Sequence, residues 1–392
     1  MLAIVREAYE NCGMSDLMRT AIRTVRKPKE LDGFIRLPLR LYKNDRNWVP
    51  PLWAAERSAY KTGNNSVLDR SDHALLAAYK DRRIIGRLAV YIDPQFNAHF
   101  QSATGFFGSF ECEEDRYAAA ALFEAAEAWL AERGMNSLRG PINPVAECWG
   151  ALVDGFDLPP VYMSPYNPPY YDRLISQSGF RGVKDLLAYE ADAGAGYAIP
   201  ERFKRFEAMV AARRPGITTR MIDTRQLGRD AEHIRRILNA SVDGNWGFVP
   251  VEADEMAAIV GDLKPILDPA AIWFVEDGGI PVGCCLGFPD INTIIKKIHG
   301  RLFPTGFMRL LLGVKRIRDY RLWGLAVLPK YQNLGLDVLL YMRLFERLAA
   351  KKVRLEANYI LEDNLRIRNA LEKLGLRAIK TYRVYEKAVP SS

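Results

Sequence analysis

LWGLAVLPKYQNLGLDVLLYMRLFE, residues 322–346, is the stretch on which the fold turns. Leu322 to Leu328 is an apolar run of strand length that Pro329 ends, and Lys330 to Gly335 is a basic turn. Leu336, Leu339, Leu340, Leu344 and Phe345 then recur at helical spacing. The order is strand, turn, helix. The first N–H groups of a helix have no partner within it and share the positive end of its dipole, so such a turn suits an anion, phosphate best. Gly335 lets the backbone approach a ligand closely, and Lys330 adds charge.

Outward from this stretch, Ile272 to Glu276 and Val282 to Phe288 read as strands around the turn Asp277-Gly278-Gly279. Beyond it come the strand Arg354 to Ile360, the helix Leu365 to Leu374 stopped by Gly375, and the strand Tyr382 to Lys387. The first half runs through the same order. It has strands His73 to Tyr79, Ile84 to Ile92 and Gly105 to Phe110, then an Ala-rich helix from Tyr117 to Arg133. A strand from Leu138 breaks at Pro141, a helix spans Tyr171 to Ser178, and Leu186 to Glu190 closes the unit. A charged helix around Pro200 to Arg214 joins the halves. The repeat implies a duplicated α/β unit with a mixed sheet, divided into residues 1–195 and 196–392. The halves differ where an anion would bind, because the first has Glu111, Glu113, Glu114 and Asp115 between strand and helix. Carboxylates there suit the helix dipole but repel phosphate, so cofactor binding is expected in the second half.

At 392 residues, 49% hydrophobic and 26% charged, the chain has the composition of a globular protein with two ordinary cores. No apolar run approaches the ~18 residues of a membrane span, and a cytoplasmic location is expected. The five cysteines are scattered, and neither they nor the four histidines have metal-ligand spacing, so no metal is expected. A net charge of +8 calls for a polyanionic partner: a phosphorylated cofactor, a nucleic acid or an anionic membrane. The sequence has no nucleic-acid-binding motif, which argues against the second. Charge concentrates from Lys296 to Arg321, where Lys296, Lys297, Arg301, Arg309, Lys315, Arg316, Arg318 and Arg321 face one acid, Asp319. Phe303, Phe307, Met308 and Leu310 to Leu312 interleave with them, so the segment suits either a solvated helix face, peripheral contact with the inner membrane surface, or the mouth of a lipid-sized pocket.

The turn Gln332-Asn333-Leu334-Gly335-Leu336-Asp337 resembles the pyrophosphate signature of the GNAT acyltransferases, Gln/Arg-x-x-Gly-x-Gly/Ala. Asp337 departs from it, since the family has Gly or Ala there. With the repeat order, the resemblance implies two GNAT-like folds in tandem, the first degenerate and the second carrying an acyl-CoA site. Tyr42-Lys43-Asn44-Asp45, Tyr166-Asn167-Pro168-Pro169-Tyr170-Tyr171, Asn245-Trp246-Gly247-Phe248-Val249-Pro250 and Gly300-Arg301-Leu302-Phe303-Pro304 resemble the bacterial tandem-GNAT group that includes the bacterial ceramide synthases. That resemblance runs from about residue 33 to 387.

The resemblance implies transfer of a fatty acyl chain from acyl-CoA or acyl carrier protein to the amine of a long-chain sphingoid base. Coenzyme A would lie along Leu325, Val327 and Gln332 to Asp337, with Asn364 at the start of the next helix, and a strand bulge near Ala326 to Val327 would aim a backbone N–H at the thioester carbonyl. The tyrosine that many members use to protonate the leaving thiolate is Leu371 here, which leaves Tyr382, Tyr385 or water. For the base that takes the amine proton, Glu356 is the first candidate, since strand alternation puts it on one face with Asn358, and Glu362 the second. Asn143, Asn167, Tyr170, Tyr171, Asn245 and Trp246 are candidates to bind the acceptor, with rigid Pro-Pro corners and packed turns as the structural alternative; Glu147 and Asp154 are further polar residues of interest. A small-amine acyltransferase and a non-catalytic anionic-lipid-binding protein remain the other readings.

Overall fold

The computed structural model describes residues 20–145, 148–241 and 244–390. Glu147 lies outside them. In chain order the elements begin with β1 (Thr20–Thr24), α1 (Pro28–Leu41), α2 (Trp53–Ala59), α3 (Ser66–Arg70), β2 (Asp72–Lys80) and β3 (Arg83–Ile92). Next come α4 (Pro94–Phe100), β4 (Thr104–Cys112), α5 (Arg116–Ala131), β5 (Ser137–Gly140), β6 (Ala151–Asp154), α6 (Tyr170–Gln177) and β7 (Arg181–Asp192). The second repeat follows with α7 (Glu201–Arg213), β8 (Ile217–Met221), α8 (Leu227–Ser241), α9 (Ala253–Leu263), β9 (Ile272–Asp277), β10 (Ile280–Pro289), α10 (Asn292–Lys297) and α11 (Gly306–Val314). It ends with β11 (Asp319–Val327), α12 (Leu336–Ala349), β12 (Arg354–Leu361), α13 (Leu365–Lys373) and β13 (Arg377–Ala388).

Contacts divide the described chain into two units. The first holds the residues up to Asp185, the short piece His299–Arg301 and the chain from Thr381. Its sheet runs β1-β2-β3-β4-β5-β13, parallel at β4/β5 and antiparallel at β1/β2, β2/β3, β3/β4 and β5/β13. Asp115 caps α5 by accepting from the amides of Tyr117 and Ala118, and the Ala-rich helix buries Leu122, Phe123, Ala126 and Leu130 on the sheet. Each large side chain buried there contributes about 1.5–3 kcal/mol. Gly105 lets the helix come close, since a Cβ on it would stand 2.2 Å from Leu130.

The second unit repeats the plan with the order β7-β12-β11-β10-β9-β8, parallel at β11/β12. Adjacent residues of β10 point to opposite faces. Cys284 packs with Ile234, Ile237 and Leu238 of α8, whereas Cys285 Sγ lies 3.7 Å from the Leu340 carbonyl of α12. Burial pushes the Cys285 thiol up to about 12, so it is not a nucleophile.

The expected mixed α/β repeat is present, with one correction to its closing strands. Leu186–Asp192 of β7 belong to the second unit and pair with β12, while Thr381–Ala388 of β13 belong to the first and pair with β5 and β6. The strand that closes each sheet comes from the other repeat. Alternation shows that a segment is a strand but carries no address for its partner. The basic segment folds as two helices, α10 and α11, and β1, β8, α8 and α9 complete the repeats.

Candidate active site

β11 and β12 stay in parallel register only from Asp319 opposite Arg354 to Leu322 opposite Ala357, and then part. A bulge marks the place: Leu322 pairs with Gly287 of β10 and Gly324 with Leu286, which leaves Trp323 as the extra residue. The bulge expected at Ala326 to Val327 is thus found earlier, and those residues keep regular pairing with Cys284 and Gly283. Gly324 follows the kink and Gly287 faces its start, where the absence of a side chain eases the distortion. Beyond it both strands become partly exposed, at Trp323 to Leu325 and at Tyr359 to Leu361. Amides on the open side of β11 have no strand to pair with, the condition an oxyanion donor needs. Leu325 and Val327 lie on this stretch, and the Val327 carbonyl accepts from Gln332 Nε2 at 3.2 Å.

The turn after β11 has the conformation its glycine suggests. Asn333 and Gly335 are both left-handed, with φ of 63° and 72°, and Gly335 starts α12. A Cβ at Gly335 would stand 2.2 Å from the Phe206 ring of α7. A cleft of about 480 Å³ opens here, with Arg213 and Arg214 at the end of α7 facing Asn333, Leu334, Gly335 and Val338. Asp337 does not line it. Arg366 of α13 donates to Gln332 Oε1 at 2.8 Å. These three arginines add cationic character that the signature alone did not reveal; the pair Arg213-Arg214 at the end of the charged helix was the available signal. The turn from Gln332 to Asp337 is where a diphosphate would be held, although the Val338 amide just beyond it is bonded to the Gly335 carbonyl, while Asn364 caps α13 by accepting from the Ile367 amide at 3.2 Å.

A buried ionic cluster sits at the root of the parting strands. Glu356 is fully buried, its Oε2 2.8 Å from Lys380 Nζ and 3.6 Å from Arg354 Nη2, its Oε1 accepting from Asn358 Nδ2 at 3.0 Å. Arg321 Nε donates to Asn358 Oδ1 at 2.5 Å, and Arg354 is also paired with Glu190 at 2.6 Å. Burial pushes the Asp319 carboxyl up, against the pull of Arg354. Alternation placed Glu356 and Asn358 together; the partners Lys380 and Arg321, on β13 and β11, were not readable from spacing. Glu362 is half-buried at the end of β12, where its carbonyl accepts from Arg368 Nη1 at 2.6 Å.

Four other candidates are in the first unit and serve its scaffold. Asn167 accepts from the Leu152 amide at 2.6 Å and donates to the carbonyls of Leu152 and Pro168. Tyr170 donates to the Cys112 carbonyl at 2.8 Å and Tyr171 to Glu111 Oε2 at 2.6 Å. Asn143 Oδ1 accepts from Ser109 Oγ at 3.0 Å and from the Val145 amide at 3.2 Å. Tyr382 is fully buried in the same unit, opposite Leu152. Asn245 belongs to the second unit, where its carbonyl accepts from the Phe248 amide, and Trp246 follows it there. Among the described residues no group of His, Cys, Asp and Glu is placed to hold a metal ion, and no helix is long and apolar enough to cross a membrane.

Comparison with known proteins agrees with this architecture. No protein-family profile matches the chain. It is 33% identical over 376 residues to protein YghO of Escherichia coli, covering 94% of this chain and 95% of that protein. It is 32% identical over 374 residues to the bacterial ceramide synthase of Caulobacter vibrioides, covering 93% and 96%. Among solved structures, a tandem GNAT protein from the clavulanic acid biosynthesis pathway superposes with a TM-score of 0.58 over 95% of this chain and 99% of that one, at 10% identity. A GCN5-related N-acetyltransferase from Sphaerobacter thermophilus gives 0.54 over 95% and 97%, at 12% identity.

Proposed function

We propose, because the chain belongs to the tandem GNAT-fold acyltransferase family, that it transfers a fatty acyl group from a coenzyme A thioester to the amine of a long-chain sphingoid base. The single observation that carries the substrate class is its 32% identity over 374 residues to a protein named bacterial ceramide synthase. The parting of β11 and β12 beside the Gly335 turn supports the second unit as the place of transfer. On this reading the diphosphate meets the amides at the start of α12, and the pantetheine arm runs between the parted strands. The thioester carbonyl meets an amide of β11 near Leu325.

The neutral amine attacks the thioester carbon, a C–N bond forms as the C–S bond breaks, and the thiolate leaves as coenzyme A. The amine proton passes to a base, for which we assign Glu356 first and Glu362 second. If Glu356 accepts the proton, Lys380 loses its counter-charge in the same step, so the two would act as one unit. The leaving thiolate takes its proton from water, since Tyr382 is fully buried in the first unit.

Purified protein incubated with acyl-CoAs of graded chain length and with sphinganine or its 3-keto form should yield the N-acyl amide and free coenzyme A in equal amounts, read by mass spectrometry. Turnover only with acetyl-CoA on small polar amines would replace this reading with the small-amine one. Turnover only with acyl carrier protein would keep the acceptor and change the donor.

A further inference from the structure

α11 lies over α10 the wrong way round for a helix at a water-facing surface. Gly306 and Leu310 point inward and are buried, and Gly313 sits so close to Ile294 that a Cβ would stand 2.7 Å from its Cδ1. The outward face is the more apolar one: Phe303 is 85% exposed, Leu312 68%, Met308 55% and Phe307 47%. Of the eleven large apolar side chains exposed among the described residues, five, counting Leu311, fall between 303 and 312. Such clustering marks an interaction surface, unlike the scattered exposed leucine any protein shows.

The charges beside it name the partner. Residues 291 to 318 include no Asp or Glu, and Lys297, Arg309, Lys315, Arg316 and Arg318 are all exposed. None of these five enters an ion pair among the described residues. A protein partner matching this face would need acids placed around an apolar centre. A bilayer with anionic headgroups supplies both at once, with no fixed register, to any helix that lays bulky side chains into the acyl boundary while its cations stay at headgroup level.

We propose that the surface of α10 and α11 docks on an anionic lipid bilayer, Phe303, Phe307, Met308 and Leu312 entering the interface and Arg309, Lys315 and Arg316 contacting headgroup phosphates. Because β11 follows at Asp319, the docked segment leads directly into the strand that parts from β12. The inference rests on surface chemistry alone and stands whether or not the acyl-transfer reading holds.

Flotation of the full chain with vesicles tests it, without any substrate. Binding is expected to vesicles of phosphatidylcholine with about 30% phosphatidylglycerol, and to fall about tenfold or more as salt rises from about 0.1 to 0.5 M. Phe303→Ser with Leu312→Ser should weaken binding about tenfold or more, and Lys315→Glu with Arg316→Glu should abolish the preference for phosphatidylglycerol. Both pairs are exposed, so the melting temperature should not move. Equal binding by the serine variant, or no binding by the parent, overturns the proposal. If light scattering then shows a parent dimer that the serine variant dissociates, the face is a contact between two copies of the chain and the lipid reading is rejected.

Discussion

Replacing Glu356 with Gln keeps the side chain's shape and removes one charge from a cluster with almost no access to water. Glu356 is 0% exposed and Lys380 2%, and they pair at 2.8 Å. Their attraction offsets the cost of taking both from water only while both are present. Losing one leaves the Lys380 ammonium buried without its counter-charge, which costs about 3–5 kcal/mol. In a cooperative unit of this size each kcal/mol is worth about 2–4 °C, so the melting temperature should drop by roughly 6–20 °C. Calorimetry and circular dichroism read the drop. Glu356→Met combined with Lys380→Met removes both charges and should recover most of it. Activity then separates two roles. A carboxylate that only ties β12 to β13 returns kcat/KM together with stability, whereas a proton acceptor leaves the double variant stable and inactive. A Glu356→Gln protein melting within about 1 °C of the parent refutes the reasoning.

Gly335→Ala should cost about 1–2 kcal/mol in left-handed backbone, and more because its methyl meets the Phe206 ring. Titration calorimetry should show weaker coenzyme A binding, and adding Phe206→Ala should return the steric part of the stability alone; a Gly335→Ala protein as stable as its parent rejects this picture. Burial pushes the Glu111 carboxyl above its ordinary value of 4.5, against Arg87 and the hydroxyls of Tyr171 and Tyr42. A carboxyl raised in the folded state carries no penalty below 4.5, loses stability as pH climbs from there through its folded value, and stays penalised beyond it. Glu111→Gln should therefore gain on the parent across that window in urea titrations, and a difference that is flat or reversed with pH counts against it.

What the sequence made legible was everything encoded locally. The strand–turn–helix at 322–346 appears as β11, the left-handed Gly335 and α12, because Pro329, a glycine and a leucine repeat are decided by their neighbours in the chain. The long-range arrangements were not legible. Glu356 and Lys380 touch across two strands, and nothing in their spacing announces it. Asn167 looked available to a substrate because its string is aromatic and polar, yet both ends of its amide are occupied by backbone. The position of the bulge depends on which residue of β10 faces Leu322, a fact of pairing that no single strand contains.

The two repeats explain each other at one point. In the first, the helix after the parallel strand starts with Asp115, whose carboxylate accepts from the amides of Tyr117 and Ala118, while Glu113 is paired with Arg40 and Arg83 and Glu114 with Arg173. The anion that a helix start attracts is thus built into the chain there, and phosphate would have to displace a carboxylate that is already bonded. In the second, the same position is Gly335, which has no side chain to cap α12; Asp337 is in that helix's first turn but does not line the cleft, whose charged lining groups are Arg213 and Arg214, and Arg366 is bonded to Gln332. The difference is chemical before it is geometric: one duplicated turn bonds a carboxylate to its own helix-start amides, and the other has no side chain at that position to do so. That asymmetry, more than the shared fold, is the reason to look for the acyl donor in the second unit.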